Sequence, residues 1–150
     1  MDLAKILRKH TTEIMENPML TDKQQEDRIT QVFDLCHFIK CYDHPLELVN
    51  SQEYELMTID DAGTRKGIYF CDLIYTTRYF FDSYFFNADN ITAFRNQAKI
   101  DELWFVLVEE SFSIDYFRDS KNFIDEYNVA SLYDKVFYFN FSRSIIKTIK

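Results

Sequence analysis

Glycine and proline are scarce in this chain, whose 150 residues include only 2 of each. Enzymes that bind phosphates through glycine-rich loops need several glycines close together, as in G-x-x-x-x-G-K-[ST] or G-x-G-x-x-G. Neither motif occurs, and the G-x-S-x-G turn that presents a catalytic serine is also absent. The sequence therefore argues against the nucleotide-binding and hydrolase classes that these loops define.

Long apolar runs and a disulfide framework are also missing. No stretch approaches the roughly 18 to 20 consecutive apolar residues that a membrane span needs. The charged first eighteen residues lack the apolar segment of a secretory signal. The 3 cysteines are too few, and odd in number, for a set of disulfides. We therefore expect one domain, residues 1–150, in the cytoplasm, with reduced thiols and no membrane partner.

Basic residues are outnumbered, and the chain has a net charge of −8. Residues 101–134 hold nine acidic and two basic residues, whereas residues 135–150 hold four basic residues and no acidic one. An acidic body repels nucleic acid, whose binding depends on clustered Lys and Arg. The same charge suits a basic protein partner, and it also keeps a small protein soluble.

Aromatic residues, in contrast, are abundant, with 15 Phe and 10 Tyr. In the run "RYFFDSYFFN" they alternate with Asp. Stacking on nucleotide bases requires aromatics interleaved with Lys and Arg, so this pattern speaks against direct nucleic-acid binding. Tyrosine on an acidic surface suits protein recognition instead.

Two helices are predicted at the N-terminus. The first runs from Asp2 to about Glu16, because Asn17-Pro18 disfavours further helix. In the second, Thr21 and Gln24 form a capping box, and His44-Pro45 sets the end at or before about Asp43. Its apolar residues follow a 3.6-residue period: Ile29, Val32, Phe33, Cys36 and Ile39.

The rest of the chain predicts strands. A β-hairpin spans 54–74, with strands at 54–59 and 67–74 joined by the glycine-containing loop "DDAGTRK". Residues 69–85 alternate with a period of two, with a break expected near Thr76-Thr77. Whether 76–86 is strand or helix stays open. Asn90 is expected to begin a short helix that ends at Ala98.

The C-terminal half predicts a βαβ unit over 103–141. It consists of a continuous apolar strand, "LWFVLV", an amphipathic helix at 114–127 and the strand "VFYFNF". The basic tail "SIIKTIK" is not assigned to an element. The expected fold is α+β, with two N-terminal helices packed on a mixed sheet of four to five strands.

The stretch "CHFIKCYDH" (residues 36–44) has four potential metal ligands. On a helix, Cys36 and Cys41 lie about 140° apart around the axis, so they do not face one ion. Only His37 and Cys41, about 40° apart, are neighbours, and a zinc site needs more ligands than that. We expect Cys36 to lie in the core and His44 to lie at the helix end, with no metal and no cofactor.

Nuclease motifs are incomplete here. The tripeptide Gly67-Ile68-Tyr69 resembles the opening of the GIY-YIG motif, but no Tyr-Ile/Val-Gly partner follows. Nucleases of the PD-(D/E)xK type also begin with helices and a strand meander, but this sequence contains no Glu-x-Lys. An enzymatic alternative nevertheless remains, a divergent metal-dependent phosphodiesterase that uses Asp60, Asp61 or Asp72.

The helix at 114–127 has an acidic stripe. Asp115, Asp119 and Glu126 fall within about 40° of one another around the axis, opposite the aromatic face. Glu109 and Glu110, at the end of the preceding strand, would extend the stripe. A solvated acidic face explains this pattern as well as a docking surface does.

The leading hypothesis is a non-enzymatic inhibitor or antidote, immunity-like or anti-defence-like. It would occlude a basic protein such as a nuclease or a nucleic-acid-handling complex. The partner-binding residues would be Glu109, Glu110, Asp115, Asp119 and Glu126. A third hypothesis is a structural subunit that forms a homodimer through its aromatic surface.

Overall fold

A computed structural model describes residues 2–54, 56–72, 86–110 and 117–150, with the side chains of 117–119 excepted. The helices are α1 (Leu3–Met15), α2 (Asp22–Cys41), α3 (Ala88–Ala98), α4 (Phe117–Glu126) and α5 (Val129–Leu132). The strands are β1 (Glu47–Asn50), β2 (Met57–Asp61), β3 (Thr64–Asp72), β4 (Glu102–Glu109), β5 (Lys135–Asn140) and β6 (Ile145–Thr148). None of the helices in these ranges is long and apolar enough to cross a membrane.

The strands form one mixed sheet in the order β1-β2-β3-β4-β5-β6. The first three strands are antiparallel, β3, β4 and β5 are parallel to one another, and β6 is antiparallel to β5. The predicted α+β class, the helix pair and the C-terminal βαβ unit are confirmed. The sheet has six strands in the described residues, rather than the four to five expected.

The two unpredicted strands, β1 and β6, are the edges of the sheet. Each has four residues, and the sequence suggested a loop for one and an unassigned tail for the other. In β1 only Leu48 is buried, and no residue of β6 is fully buried. Short, half-exposed edge strands have little hydrophobic alternation, so tertiary pairing decides where they form.

Local signals define the two N-terminal helices. Asp2 caps α1 by accepting a hydrogen bond from Lys5 N at 3.1 Å. The capping box of α2 is confirmed: Gln24 N donates to Thr21 Oγ1 at 3.2 Å, and Thr21 N donates to Gln24 Oε1 at 2.9 Å. These bonds satisfy backbone donors that have no partner inside the helix.

The buried face of α2 differs from the predicted stripe. Phe33 is 50% exposed, whereas Leu35 and Phe38 are fully buried. The cause is that α2 packs against α1 on one side and the sheet on the other, so its buried arc is wider than a single stripe. That arc also contains three polar residues, which are Arg28, Gln31 and Asp34.

The predicted hairpin is confirmed, with a tighter turn than "DDAGTRK" suggested. Asp61 pairs with Thr64, so only Ala62 and Gly63 form the turn. Their φ angles are 53° and 87°, as the two central residues of a hairpin turn require. Asp60 Oδ1 accepts a hydrogen bond from Gly63 N at 2.8 Å.

Helices cover both faces of the sheet. Residues Trp104, Val106 and Val108 of β4 pack with α1 and α2, while Leu103, Phe105 and Leu107 pack with α3, α4 and α5. A strand covered on both faces must be apolar at every position, as "LWFVLV" is. The N-cap of α3 is Asn87 and not Asn90. Residues 73–85 and 114–116 lie outside the described residues. The predicted alternation after Asp72, the open choice between strand and helix at 76–85 and the predicted first turn of the helix at 114–127 therefore stay predictions.

The side chain of Gln31, on α2, makes hydrogen bonds to β3 of the kind that a neighbouring strand would make. In the described residues, the pairing of β2 with β3 begins at Met57 and Ile68, and Phe70 lies two residues beyond that pair on β3. Phe70 N donates to Gln31 Oε1 at 3.0 Å, and Gln31 Nε2 donates to Phe70 O at 2.5 Å. The amide of Gln31 thereby continues the ladder of β3 and holds α2 in one register on the sheet.

We predict that Gln31→Leu lowers the free energy of unfolding by about 2 to 4 kcal/mol, because two buried backbone groups of Phe70 lose their partners. Urea denaturation followed by circular dichroism measures the loss. Gln25→Leu on the same helix is the control, since Gln25 Nε2 only reaches the carbonyls of Met15 and Asn17, each at 3.3 Å near the surface. We expect that variant to lose less than about 1 kcal/mol. Equal losses in the two variants would contradict this role of Gln31.

Candidate functional site

The carboxyl ends of the parallel strands meet at one edge of the sheet. β3 ends at Asp72, β4 at Glu109 and β5 at Asn140. Asp72 pairs with Val108, and Glu109 pairs with Asn140. In open sheets with parallel strands, this is the edge where ligands commonly bind.

The pleat of the sheet divides these carboxylates between its two faces. Asp72 lies on the α2 face together with Ile68 and Phe70, because side chains alternate along a strand. Glu109 shares the opposite face with Leu107 and is 4% exposed. Glu110, which follows β4, is exposed to solvent.

Helix α2 adds a further carboxylate to the first of these faces. Asp34 lies one turn after Gln31, so the hydrogen bonds that hold Gln31 to Phe70 also bring Asp34 against Asp72. Asp34 is 4% exposed and shares a hydrogen bond with Asp72. Among the described residues, Asp34 Oδ2 and Asp72 Oδ1 have no hydrogen-bond partner.

These two acids hold one proton between them. Burial raises the pKa of Asp34 to about 9, and the charge of Asp72, the hydrogen bond to it and the charge of Glu110 act in the same direction. Burial also raises the pKa of Asp72 to about 6. The hydrogen bond with Asp34 lowers that pKa, and the charge of Glu110 raises it. At neutral pH, therefore, the pair holds one proton, in a hydrogen bond between the two carboxyl groups.

The five residues predicted to bind a partner have different locations. Glu110 and Glu126 are exposed, whereas the carboxylate of Glu109 is inside the α4 side of the molecule. Asp115 and the side chain of Asp119 lie outside the described residues. Of the five predicted residues, Glu110 and Glu126 are thus the ones that are described and exposed.

The three aspartates of the enzymatic alternative are not brought together. Asp61 pairs with Thr64 at the start of β3, and Asp72 lies at its other end, about 26 Å away for a strand of this length. Asp61 Oδ2 accepts a hydrogen bond from Lys66 Nζ at 2.6 Å, and Asp60 stabilises the hairpin turn. Within the described ranges, no group of three or more His, Cys, Asp or Glu residues is arranged to hold a metal ion.

In the stretch "CHFIKCYDH", Cys36 and His37 pack against other side chains of the protein. Cys36 is 7% exposed, in the core as predicted, and burial raises the pKa of its thiol. The ring of His37 stacks on Phe141 with centroids 4.1 Å apart, and its Nε2 lies 3.3 Å from Ser144 Oγ. Burial lowers the pKa of His37, which therefore favours the neutral ring.

Asp34 is the functional candidate that the sequence reasoning missed. Asp34 lies in a helix whose apolar period alone predicts its buried side. The available signal was the polar series Arg28, Gln31 and Asp34, spaced at three residues along the buried side of α2. Polar residues at that spacing on a core-facing helix indicate buried hydrogen bonds.

The chain matches no protein-family model and no curated protein. Among solved structures, it is similar to the crystal structure of an XisH family protein from Nostoc punctiforme PCC 73102. That likeness covers 71% of this chain and 83% of the other, with 13% identity and a TM-score of 0.42.

We predict that the free energy of unfolding falls as the pH rises from about 4 to about 9. Acids whose pKa is higher in the folded state than the ordinary 3.8 bind more protons when folded, so stability is greatest below that range and is lost as they ionise. Asp34→Asn keeps a donor for Asp72 and has no proton to lose. We expect it to be more stable than the parent at pH 8, by on the order of 2 kcal/mol, with a flatter pH profile.

Denaturation at several pH values measures this dependence. Asp125→Asn, the same change at an exposed position of α4, is the matched control and should leave the profile unchanged. The shared proton would be refuted by an Asp34→Asn profile that coincides with the parent profile.

Proposed function

We propose that this protein is a non-enzymatic acidic inhibitor or antidote that occludes a basic protein in the cytoplasm, such as a nuclease or a nucleic-acid-handling complex. The observation that supports this function is the group of acidic side chains at the carboxyl edge of the parallel strands, which are Asp34, Asp72 and Glu110.

Among the described residues, the charged groups that contribute to the pKa shifts of Asp34 and Asp72 are acidic. Burial is the larger cause, and the charge of Glu110 raises the pKa of both Asp34 and Asp72 in addition. Because Glu110 is exposed, its field extends into solvent as well as into the protein. A basic surface that approaches this edge would gain favourable interaction with the field.

Helix α4 continues the acidic character away from the sheet edge. Asp125 and Glu126 are exposed, while Phe123 and Ile124 of the same helix are 8% and 1% exposed and anchor it to the core. We name Glu110 and Glu126, together with the predicted positions Asp115 and Asp119, the acidic face. Glu110 directly follows β4, and Glu126 is the last residue of α4.

The mechanism would be electrostatic steering followed by steric occlusion. Complementary charge accelerates encounter and orients the partner, while the rigid sheet edge behind the acidic face blocks the basic surface that would otherwise bind nucleic acid. Such a mechanism needs no catalytic group. It also predicts a strong dependence of the association rate on ionic strength.

We predict that Glu110→Lys combined with Glu126→Lys slows association with the basic partner about tenfold at low salt, with a smaller effect at high salt. The partner is first captured from host cells with the tagged chain, and its association rate is then measured by stopped-flow fluorescence. Glu26→Lys with Glu47→Lys is the control, with the same change in charge at exposed positions away from the acidic face. An association rate that is independent of ionic strength and equal in all three proteins would rule out this mechanism.

The other two hypotheses give different results in simple measurements. A metal-dependent phosphodiesterase would bind Mg²⁺ or Mn²⁺, and its melting temperature would rise with the metal concentration by mass action. A homodimeric subunit would sediment with twice the mass of the chain. The acidic inhibitor predicts neither a metal-dependent rise nor a requirement for self-association.

A further inference from the structure

A polar pocket of about 320 Å³ lies between the C-terminal part of α1 and the turn that follows β1. On one side it is lined by His10, Glu13 and Asn17, and on the other by residues 49–53. Its volume is at the lower end of the range for ligand sites in proteins, about 300 to 1,000 Å³. It therefore suits a single side chain or a small molecule.

Hydrogen bonds hold the turn that forms one wall. Asn50 Oδ1 accepts from the backbone nitrogens of Gln52 and Glu53, both at 3.0 Å, and Asn50 Nδ2 donates to Glu53 Oε2 at 3.2 Å. Across the pocket, Gln52 Nε2 donates to Glu13 Oε2 at 3.2 Å, and Asn17 Nδ2 donates to Gln52 Oε1 at 3.1 Å. The pocket is thus organised before any ligand arrives.

Histidine 10 provides a buried polar group in the lining. His10 is 6% exposed, and its Nδ1 lies 2.9 Å from Ser51 Oγ and 3.9 Å from Glu13 Oε2. Burial lowers the pKa of His10. The charge of Glu13 raises this pKa and the charge of Lys9 lowers it, so the ring favours the neutral form. The nearby Glu13 carboxylate favours the proton on Nδ1, which leaves Nε2 as an acceptor. No described residue is hydrogen-bonded to Nε2.

The charges of the lining are all negative. Glu13 and Glu53 are its charged members, and no Lys or Arg is among the lining residues. Of the nearby cations, Lys9 is exposed on α1, and Arg28 donates through Nε to the carbonyl of Tyr54 at 3.3 Å. Val49, 44% exposed, supplies an apolar surface in the same pocket.

We propose that this pocket binds the guanidinium group of an arginine side chain, held between Glu13 and Glu53 with His10 and Asn50 beside it. A guanidinium has five donors in one plane, which matches acceptors that are spread around a pocket. The aliphatic part of the arginine packs on Val49. This proposal rests on the proposed function, because the arginine would come from the basic protein partner.

Competing ligands fit the lining less well. A lysine ammonium is a compact charge that cannot span two separated carboxylates with fixed geometry. A divalent metal ion requires converging ligands, and the described residues contain no group of three that provides them. Arginine is therefore the cation whose shape and donor count agree with the pocket.

The test titrates Nα-acetyl-arginine amide into the full ¹⁵N-labelled chain and follows the amide signals of residues 50–53. We expect saturable shifts with arginine, and binding at least about tenfold weaker with the neutral citrulline derivative, which has nearly the same shape. The lysine derivative should also bind more weakly. Glu13→Gln and Glu53→Gln should each weaken arginine binding about tenfold, the value of one charge-assisted hydrogen bond, while Glu26→Gln should not.

Val49→Lys is a second variant that places an ammonium over the pocket from an exposed position. It should abolish arginine binding while signals from the rest of the protein stay unchanged. No saturable shift with arginine, or equal affinity for arginine and citrulline, would overturn the proposal.

The pocket and the proposed function are tested separately. If arginine binds as expected but no basic protein associates with the chain, the pocket is supported and the inhibitor function fails. If a basic protein associates through the acidic face and Glu13→Gln with Glu53→Gln leaves its affinity unchanged, the pocket proposal fails and the function stands.

Discussion

The two hydrogen bonds between the Gln31 amide and the backbone of Phe70 determine the register of α2 on the sheet. A helix packed only through apolar side chains can shift or rotate with small changes in contact, whereas a bidentate amide contact allows a single position. From that position, one helical turn leads to Asp34, and two residues along β3 lead to Asp72. The meeting of these acids is therefore a consequence of the Gln31 contact.

The acid pair reduces stability at neutral pH. Burying carboxylates away from water disfavours their ionised forms, and mutual proximity increases that cost. Sharing one proton relieves part of this cost, since that proton forms a hydrogen bond between the two carboxyl groups. Departures from ordinary core packing of this kind tend to mark functional positions, and this one lies at the edge where the charge of Glu110 reaches solvent.

The proposed acidic face and the proposed arginine pocket occupy different parts of the fold. The first would follow the carboxyl ends of the parallel strands and α4, and the second lies between α1 and the turn after β1. Under the proposed function, two separated acidic features would suit a partner with an extended basic surface, because long-range attraction would direct the encounter and a bound arginine would give it a specific position. An inhibitor with both features would combine speed with specificity.

Much of the fold could be predicted because its signals are local. Asn17-Pro18, the capping box of Thr21 and Gln24, and the apolar run of β4 act over a few residues and gave correct elements. The prediction failed where a neighbour decides the outcome. β1 and β6 form by pairing at the sheet edges, and the exposure of Phe33 depends on where α1 and the sheet meet α2.

The candidate sites also separate into features set by local sequence and features set by tertiary contacts. The amino-acid sequence by itself determined the acidic charge, the starts of α1 and α2, the hairpin and the parallel βαβ unit, because capping, turn geometry and hydrophobic period are properties of short segments. Only the tertiary structure decided which polar groups meet. His10 and Ser51 are 41 residues apart, and Gln31 and Phe70 are 39 apart. Contacts over such distances depend on how helices dock on the sheet, and no local pattern records that docking.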